Sequence, residues 1–90
     1  MTIRIVPPSF LQPFTANLES VEVNGSSVGE CLHNLSKQFP DIEQRLFDKN
    51  GELHDYVGIY VNGKDSYAEG LAKPVEDGDE LHILYILGGG

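Results

Sequence analysis

Only one long segment of this chain carries apolar residues at helical spacing, and that segment must cover whatever the rest of the chain builds. Val28, Leu32, Leu35 and Phe39 fall on one stripe, with Cys31 beside it. Ser27-Val28-Gly29-Glu30 opens the segment as a capping box. In it, the Ser27 hydroxyl accepts from the Glu30 N–H and the Glu30 carboxylate reaches back. Pro40 stops the helix, and Asp41 to Leu46 reads as one further short helical turn.

The other segments alternate polar and apolar residues, as strands do. Thr2–Val6 is a first strand ended by Pro7-Pro8, and a loop containing Pro13 follows. Glu19–Val23 alternates again, with Val21 and Val23 facing in, Ser20 and Glu22 facing out, and Asn24-Gly25 turning the chain. Asp48–Gly51 is a loop. Tyr56–Val61 runs into Asn62-Gly63, the pair that a type I′ hairpin turn prefers, so a short partner strand starts near Lys64. Gly70 to Pro74 is loop or a brief turn. Asp77-Gly78-Asp79 then leads into a last strand, Glu80 to Ile86. The order is β-β-α-β-β-β. One helix cannot cover both faces of such a sheet, so it lies across one face as an α+β domain. Ile3, Ile5, Val21, Val23, Val57, Ile59, Val61, Leu81 and Ile83 are expected to pack against Leu32, Leu35 and Phe39.

Composition narrows the function classes. A chain of 90 residues is one domain, with a modest core. The folded part is expected to span 1–87, with 88–90 as a tail. Fourteen acidic residues against six basic ones give a net charge of −8, which repels phosphate backbones and argues against nucleic-acid binding. That surface either steers the chain toward a basic partner or serves solubility alone. No apolar run approaches the roughly twenty residues that a membrane span needs, and Met1–Val6 is cut short by prolines before it resembles a leader. Cys31 is the single cysteine, which leaves no internal disulfide and fits a reducing compartment. A cytoplasmic protein, monomeric when free, is expected.

The last strand has apolar residues on both faces. Leu81, Ile83 and Tyr85 can fill the inner side, whereas Leu84 and Ile86 point to the outer one, where Tyr60 joins them and His82 lies beside Leu84. Such a patch either docks a partner or is covered by the short hairpin or the Pro7–Phe14 loop. Directly beyond it comes Gly88-Gly89-Gly90. Three residues without Cβ atoms make a thread about 10 Å long that enters a slot too narrow for any side chain. The reactive group is then the chain's own terminal carboxylate.

These residues together resemble the ubiquitin-like sulfur carriers of the MoaD/ThiS type, nearest the branch that serves cysteine or homocysteine biosynthesis. The resemblance rests on Gly51-Glu52-Leu53-His54, on Val57-Gly58-Ile59-Tyr60-Val61-Asn62-Gly63, and on Glu76 through Leu84, in that order and at that distance from a terminal Gly-Gly. It runs over most of the chain and is firmest from residue 50 onward. It implies a β-grasp fold and a carrier that is a substrate of enzymes, not an enzyme. Gly89-Gly90 match the family's diglycine, which makes Gly90 the adenylated and thiocarboxylated residue. Gly88 and Gly89 thread into the activating enzyme. A third glycine departs from the usual pattern and leaves open a trimmed form ending at Gly89.

The implied partners are a MoeB/ThiF-type adenylyltransferase using ATP, a sulfur donor such as a persulfide enzyme, and a pyridoxal-phosphate synthase that accepts the sulfur. A zinc-dependent peptidase releases the product. No cofactor is expected on the carrier itself. Molybdopterin or thiamine synthesis stays open as the destination of the sulfur. Conjugation to lysines as a protein modifier and a purely non-covalent binding role also stay open.

Other candidate groups read as structural. Cys31 lies on the apolar stripe and lacks the electropositive setting of a reactive thiol. His33, His54 and His82 have no metal-ligand spacing and read as surface residues. Glu76, Asp77, Asp79 and Glu80 lack a calcium-loop pattern and read as a solvated turn.

Overall fold

Alternation along Thr2–Val6 becomes strand β1, in which Ile3 and Ile5 are buried while Thr2 and Arg4 face solvent. The computed structural model describes residues 2–66 and 69–85. The expectations for Ile86 and for Gly88, Gly89 and Gly90 therefore lie outside the described residues, as does the boundary at residue 87.

After β1 the expected loop is a 3₁₀ helix, Ser9–Thr15, which buries Leu11 and packs Phe14 against the core. It ends through Ala16 and Asn17, whose φ values of 54° and 63° lie in the left-handed region. The Thr15 hydroxyl lies 3.2 Å from the carbonyls of Gln12 and Leu18. Held in this way, the chain becomes extended only at β2 (Val21–Asn24), two residues later than the alternation predicts. Val21 and Val23 face in, as expected.

Helix α1 spans Val28–Gln38. Ser27 Oγ accepts from the Glu30 N–H at 3.1 Å, but Glu30 Oε1 accepts from the Ser26 N–H at 2.8 Å, one residue before the cap. Pro40 ends the helix and also starts a 3₁₀ turn, Pro40–Ile42, a first position where its missing N–H costs nothing. The turn leads into α2 (Glu43–Leu46), and together they bury Ile42 and Leu46. Phe39 is only partly buried, at the margin of the core.

Strands β3 (Val57–Val61) and β4 (Lys64–Asp65) form the expected hairpin. Asn62 and Gly63 have φ of 52° and 85°, both positive as the tight turn demands. A 3₁₀ turn at Gly70–Ala72 precedes β5 (Glu80–Tyr85). The sheet order is β2-β1-β5-β3-β4. β1 and β5 run parallel in the middle, and the remaining neighbours are antiparallel.

This is the mixed sheet of a β-grasp domain, with α1 across one face. All nine predicted strand positions are buried against Val28, Cys31, Leu32 and Leu35. Leu11, Ile42, Leu46 and Val75 extend that core beyond the predicted set. Gly25 is required by close approach to α1, because a Cβ there would sit 2.6 Å from Cys31 Sγ.

The acidic turn before β5 is a fastening, not merely a solvated loop. The Thr2 N–H donates to Asp77 Oδ1 (2.7 Å), the Gly78 N–H to the Thr2 carbonyl (2.8 Å), and the Arg4 N–H to the Asp79 carbonyl (3.0 Å). Asp79 Oδ2 accepts from the Glu76 N–H at 2.8 Å and Oδ1 from Asn62 Nδ2 at 2.9 Å. Asn62 Oδ1 in turn accepts from the Glu80 N–H at 2.9 Å. The Glu76 N–H and the Asn62 amide hold the Asp79 carboxyl below its ordinary value of 3.8. A lowered carboxyl pKa stabilises the fold above that ordinary value and loses the contribution as pH falls through the lowered one.

Candidate functional site

The register of β5 decides what the end of the sheet presents. His82 lies opposite Tyr60, and Leu84 lies opposite Gly58, which has no side chain to cover it. Leu84 is accordingly 40% exposed. Tyr60, His82 and Leu84 thus share the outer face, as the sequence predicted, and Ile86 lies outside the described residues. His82 is not a free surface group. Its Nε2 donates to Glu80 Oε1 at 2.6 Å, and Glu80 Oε2 lies 3.7 Å from Arg4 Nη1. These are exposed pairs that contribute little stability, but they fix the polar rim of the patch.

The inner side of the same strand end holds an aromatic cluster. The Tyr85 hydroxyl donates to the Arg45 carbonyl at 2.5 Å, tying β5 to α2. Phe10 meets the Tyr85 ring edge-on at 4.7 Å between centroids, and Tyr56 lies 5.1 Å from it on another side. His54 stacks on Tyr56 at 4.9 Å, and its Nε2 donates to the Gln44 carbonyl at 3.0 Å. The Arg45 guanidinium sits 4.5 Å above the Phe14 ring. Burial raises the Tyr85 phenol above 10.0, so at neutral pH it remains the donor to Arg45.

Sequence reasoning assigned Tyr85 to the inner face but missed its neighbours. A signal existed: Phe10 lies two residues beyond a proline pair, and Tyr56 opens the predicted strand on its outward-facing side, so neither large ring has a periodic reason to be buried.

Cys31 is fully buried on α1, and burial first, then the charge of Glu30, pushes its thiol up to about 11. The ordinary value is 9.0, so the neutral thiol is favoured by the fold. That contribution is present in full below about 9 and is lost as pH rises toward about 11. An alkylating probe at neutral pH is expected to label Cys31 only when denaturant is added. Rapid labelling of the native protein, followed by mass spectrometry, would contradict this placement. Among the described residues, no three His, Cys, Asp or Glu side chains converge as metal ligands, and no helix is long and apolar enough to cross a membrane.

A β-grasp sheet whose last, central strand exposes Leu84 and whose sequence runs on to Gly88-Gly89-Gly90 has the architecture of a ubiquitin-like domain. The family model described as "ThiS family" matches residues 9–90, and the chain belongs to that family. It is 36% identical over 93 aligned residues, all of both chains, to the sulfur carrier protein CysO of Mycobacterium tuberculosis. It is 35% identical over 71 residues to small archaeal modifier protein 1 of Haloferax volcanii, covering 78% of each. Among solved structures, a chain of the Amycolatopsis orientalis BexX/CysO complex superposes with a TM-score of 0.88 at 32% identity, covering 98% of this chain and 99% of that one. Two of these relatives are thus named as a sulfur carrier and a protein modifier, and the third stands in a complex of two named proteins.

Proposed function

We propose that this chain carries sulfur as a thiocarboxylate on Gly90 and delivers it to the synthesis of cysteine or a related amino acid. The observation that supports this most is full-length similarity to a protein named as a sulfur carrier, together with a sequence that reaches Gly88, Gly89 and Gly90 three residues after β5 ends at Tyr85.

The chemistry follows from the weakness of a carboxylate as an acyl electrophile. An activating enzyme lets a Gly90 carboxylate oxygen attack the α-phosphorus of ATP, which releases pyrophosphate and leaves an acyl-adenylate. Hydrosulfide then attacks the acyl carbon and expels AMP, giving the thiocarboxylate and a proton. With a persulfide donor, the terminal sulfur attacks, and a second thiol takes the donor sulfur as a disulfide. The carrier supplies address and attachment through Tyr60, His82, Leu84 and Ile86, while Gly88 and Gly89 thread the catalytic slot. A pyridoxal-phosphate synthase accepts the sulfur on an activated serine or homoserine derivative, and a zinc-dependent peptidase frees the product.

The test is the mass of the Leu81–Gly90 peptide after incubation with activating enzyme, ATP and sulfide. That peptide has no Met or Cys to mimic sulfur by oxidation. A gain equal to the difference between a sulfur and an oxygen atom, placed on Gly90 by fragmentation, is expected. A plain carboxylate under those conditions would overturn the reading. Similarity to a modifier protein favours a second role, attachment of the same activated end to lysines, which would be seen as conjugates of higher mass.

A further inference from the structure

Strand β2 is one edge of the sheet, and its neighbour β1 fixes which of its main-chain groups point away. The Arg4 N–H donates to the Asp79 carbonyl at 3.0 Å, and the Thr2 carbonyl accepts from the Gly78 N–H at 2.8 Å. Thr2 and Arg4 therefore turn their main-chain groups toward β5, and Ile3 and Ile5 turn theirs toward β2. Val23 and Val21 lie opposite those isoleucines, so the two valines close the ladder with β1. Glu22 and Asn24, opposite Arg4 and Thr2, present their N–H and C=O groups to the open side. The Asn24 carbonyl bears this direction out, since Asn34 of α1 donates to it from Nδ2 at 2.6 Å. That bond caps one end of the edge. Among the described residues, nothing bonds the Glu22 N–H, the Glu22 carbonyl or the Asn24 N–H.

An open strand edge is a template for one more strand, and natural sheets blunt such edges with lysine, proline or brevity. The other edge, β4, has two residues and starts with Lys64. β2 has four residues and carries neither lysine nor proline. Its charge is negative. Glu19 and Glu22 are exposed, and neither makes an ion pair among the described residues, because Arg4, opposite Glu22, goes to Glu80. Leu18, 46% exposed, stands just before this edge. A shallow, open depression of about 900 Å³ runs from Leu18 and Gln38 past Glu22 to Asp77.

We propose that β2 accepts an extended segment of another protein, added to the five-stranded sheet as a further strand, with a lysine or arginine set opposite Glu22. Main-chain bonds to Glu22 and Asn24 give the segment its register, and the Glu22 carboxylate selects its charge. A second copy of this chain is the wrong occupant. Two β2 edges paired antiparallel about Glu22 set one Glu22 against the other, and each chain carries a net charge of −8. A basic strand is instead attracted both at the contact and from a distance. β2 lies two strands away from β5, on the order of 10 Å. Tyr60, His82 and Leu84 belong to β3 and β5, so a partner held at β2 leaves them open to another.

The test titrates the full, isotope-labelled chain with a short peptide that alternates lysine and valine. The amide resonances of Glu22 and Asn24 should shift saturably and exchange with solvent more slowly, while those of Tyr60 and Leu84 stay in place. A peptide alternating glutamate and valine should not bind. Proline in place of the central valine should weaken binding about tenfold or more, because it cannot donate to the edge. Glu22→Lys is expected to weaken the lysine peptide by about tenfold and to admit the glutamate peptide. No saturable shift at Glu22 and Asn24 overturns the proposal. Equal binding of the proline peptide also overturns it, since charge alone would then suffice. Shifts at Glu22 that grow with the chain's own concentration, without peptide, would assign the edge to a second copy and overturn it too. The peptide comparisons on the unaltered chain decide the matter even if the variant fails to fold. Neither Gly90 nor sulfur enters these measurements, so their failure leaves the carrier reading standing.

Discussion

A Gly89→Val chain should fold as the wild type does and accept almost no sulfur. The core residues all lie at or before Ile83, so a side chain at position 89 removes none of the packing that holds the domain. What it changes is the width of the thread. On the proposed threading, a valine adds a branched Cβ to a segment that would pass as bare backbone, and its stiff χ1 leaves no narrow rotamer. Displacing the reacting carboxylate by even about 1 Å is enough to slow chemistry on the order of a hundredfold. Loading should therefore fall by at least that much, read as thiocarboxylate formed per unit time. The melting temperature should stay within error. Sulfur loading at the wild-type rate would remove the threading mechanism, and a collapsed fold would show that the segment supports the domain.

Leu81→Ala should have the opposite character: severe for the fold and only indirectly so for loading. Leu81 is fully buried at the centre of the sheet, opposite Ile5 on one side and Val61 on the other. Its truncation leaves a cavity bounded by three strands and α1, and such sites cost about 2–5 kcal/mol. A small domain has a total of about 5–15 kcal/mol, so a large share of the stability would go. Each kcal/mol lowers the Tm of a chain this size by about 4–8 °C. Urea unfolding should show a lower midpoint with the slope unchanged. A loss below about 1 kcal/mol would mean that the surrounding strands close over the gap, and that β5 is less central than its pairing indicates.

Strands and helix were legible because their periods are short and local. Ile3 and Ile5, Val21 and Val23, or Ile59 and Val61 alternate whatever lies elsewhere in the chain, and Asn62-Gly63 names its turn type outright. The Ser9–Thr15 helix was not legible. It buries only Leu11 and Thr15, contains Pro13, and shows no helical stripe. The end of β2 read correctly as a turn, yet nothing local revealed that Gly25 is there for Cys31. Asn62 has two tasks, of which only the turn can be seen in sequence, because its amide reaches across to Asp79 and Glu80. The site divides the same way. Tyr60, His82 and Leu84 followed from strand alternation and register, whereas Phe10, Tyr56 and Tyr85 meet only in three dimensions. The terminal glycines were read from the chemistry of a bare backbone and from their match to the family's diglycine, since a residue without a side chain has no periodicity to follow.

The parallel pairing of β1 and β5 has a mechanical consequence. The chain enters the sheet at the start of β1 and leaves it at the far end of β5, and Arg4, Ile5 and Val6 are matched to Glu80, Leu81 and His82. A pull between the two ends loads this pair lengthwise, so the bonds between the strands must yield together instead of opening one after another. Under the proposed function, this lengthwise pairing would let the body of the domain keep its shape while a partner holds the chain beyond β5.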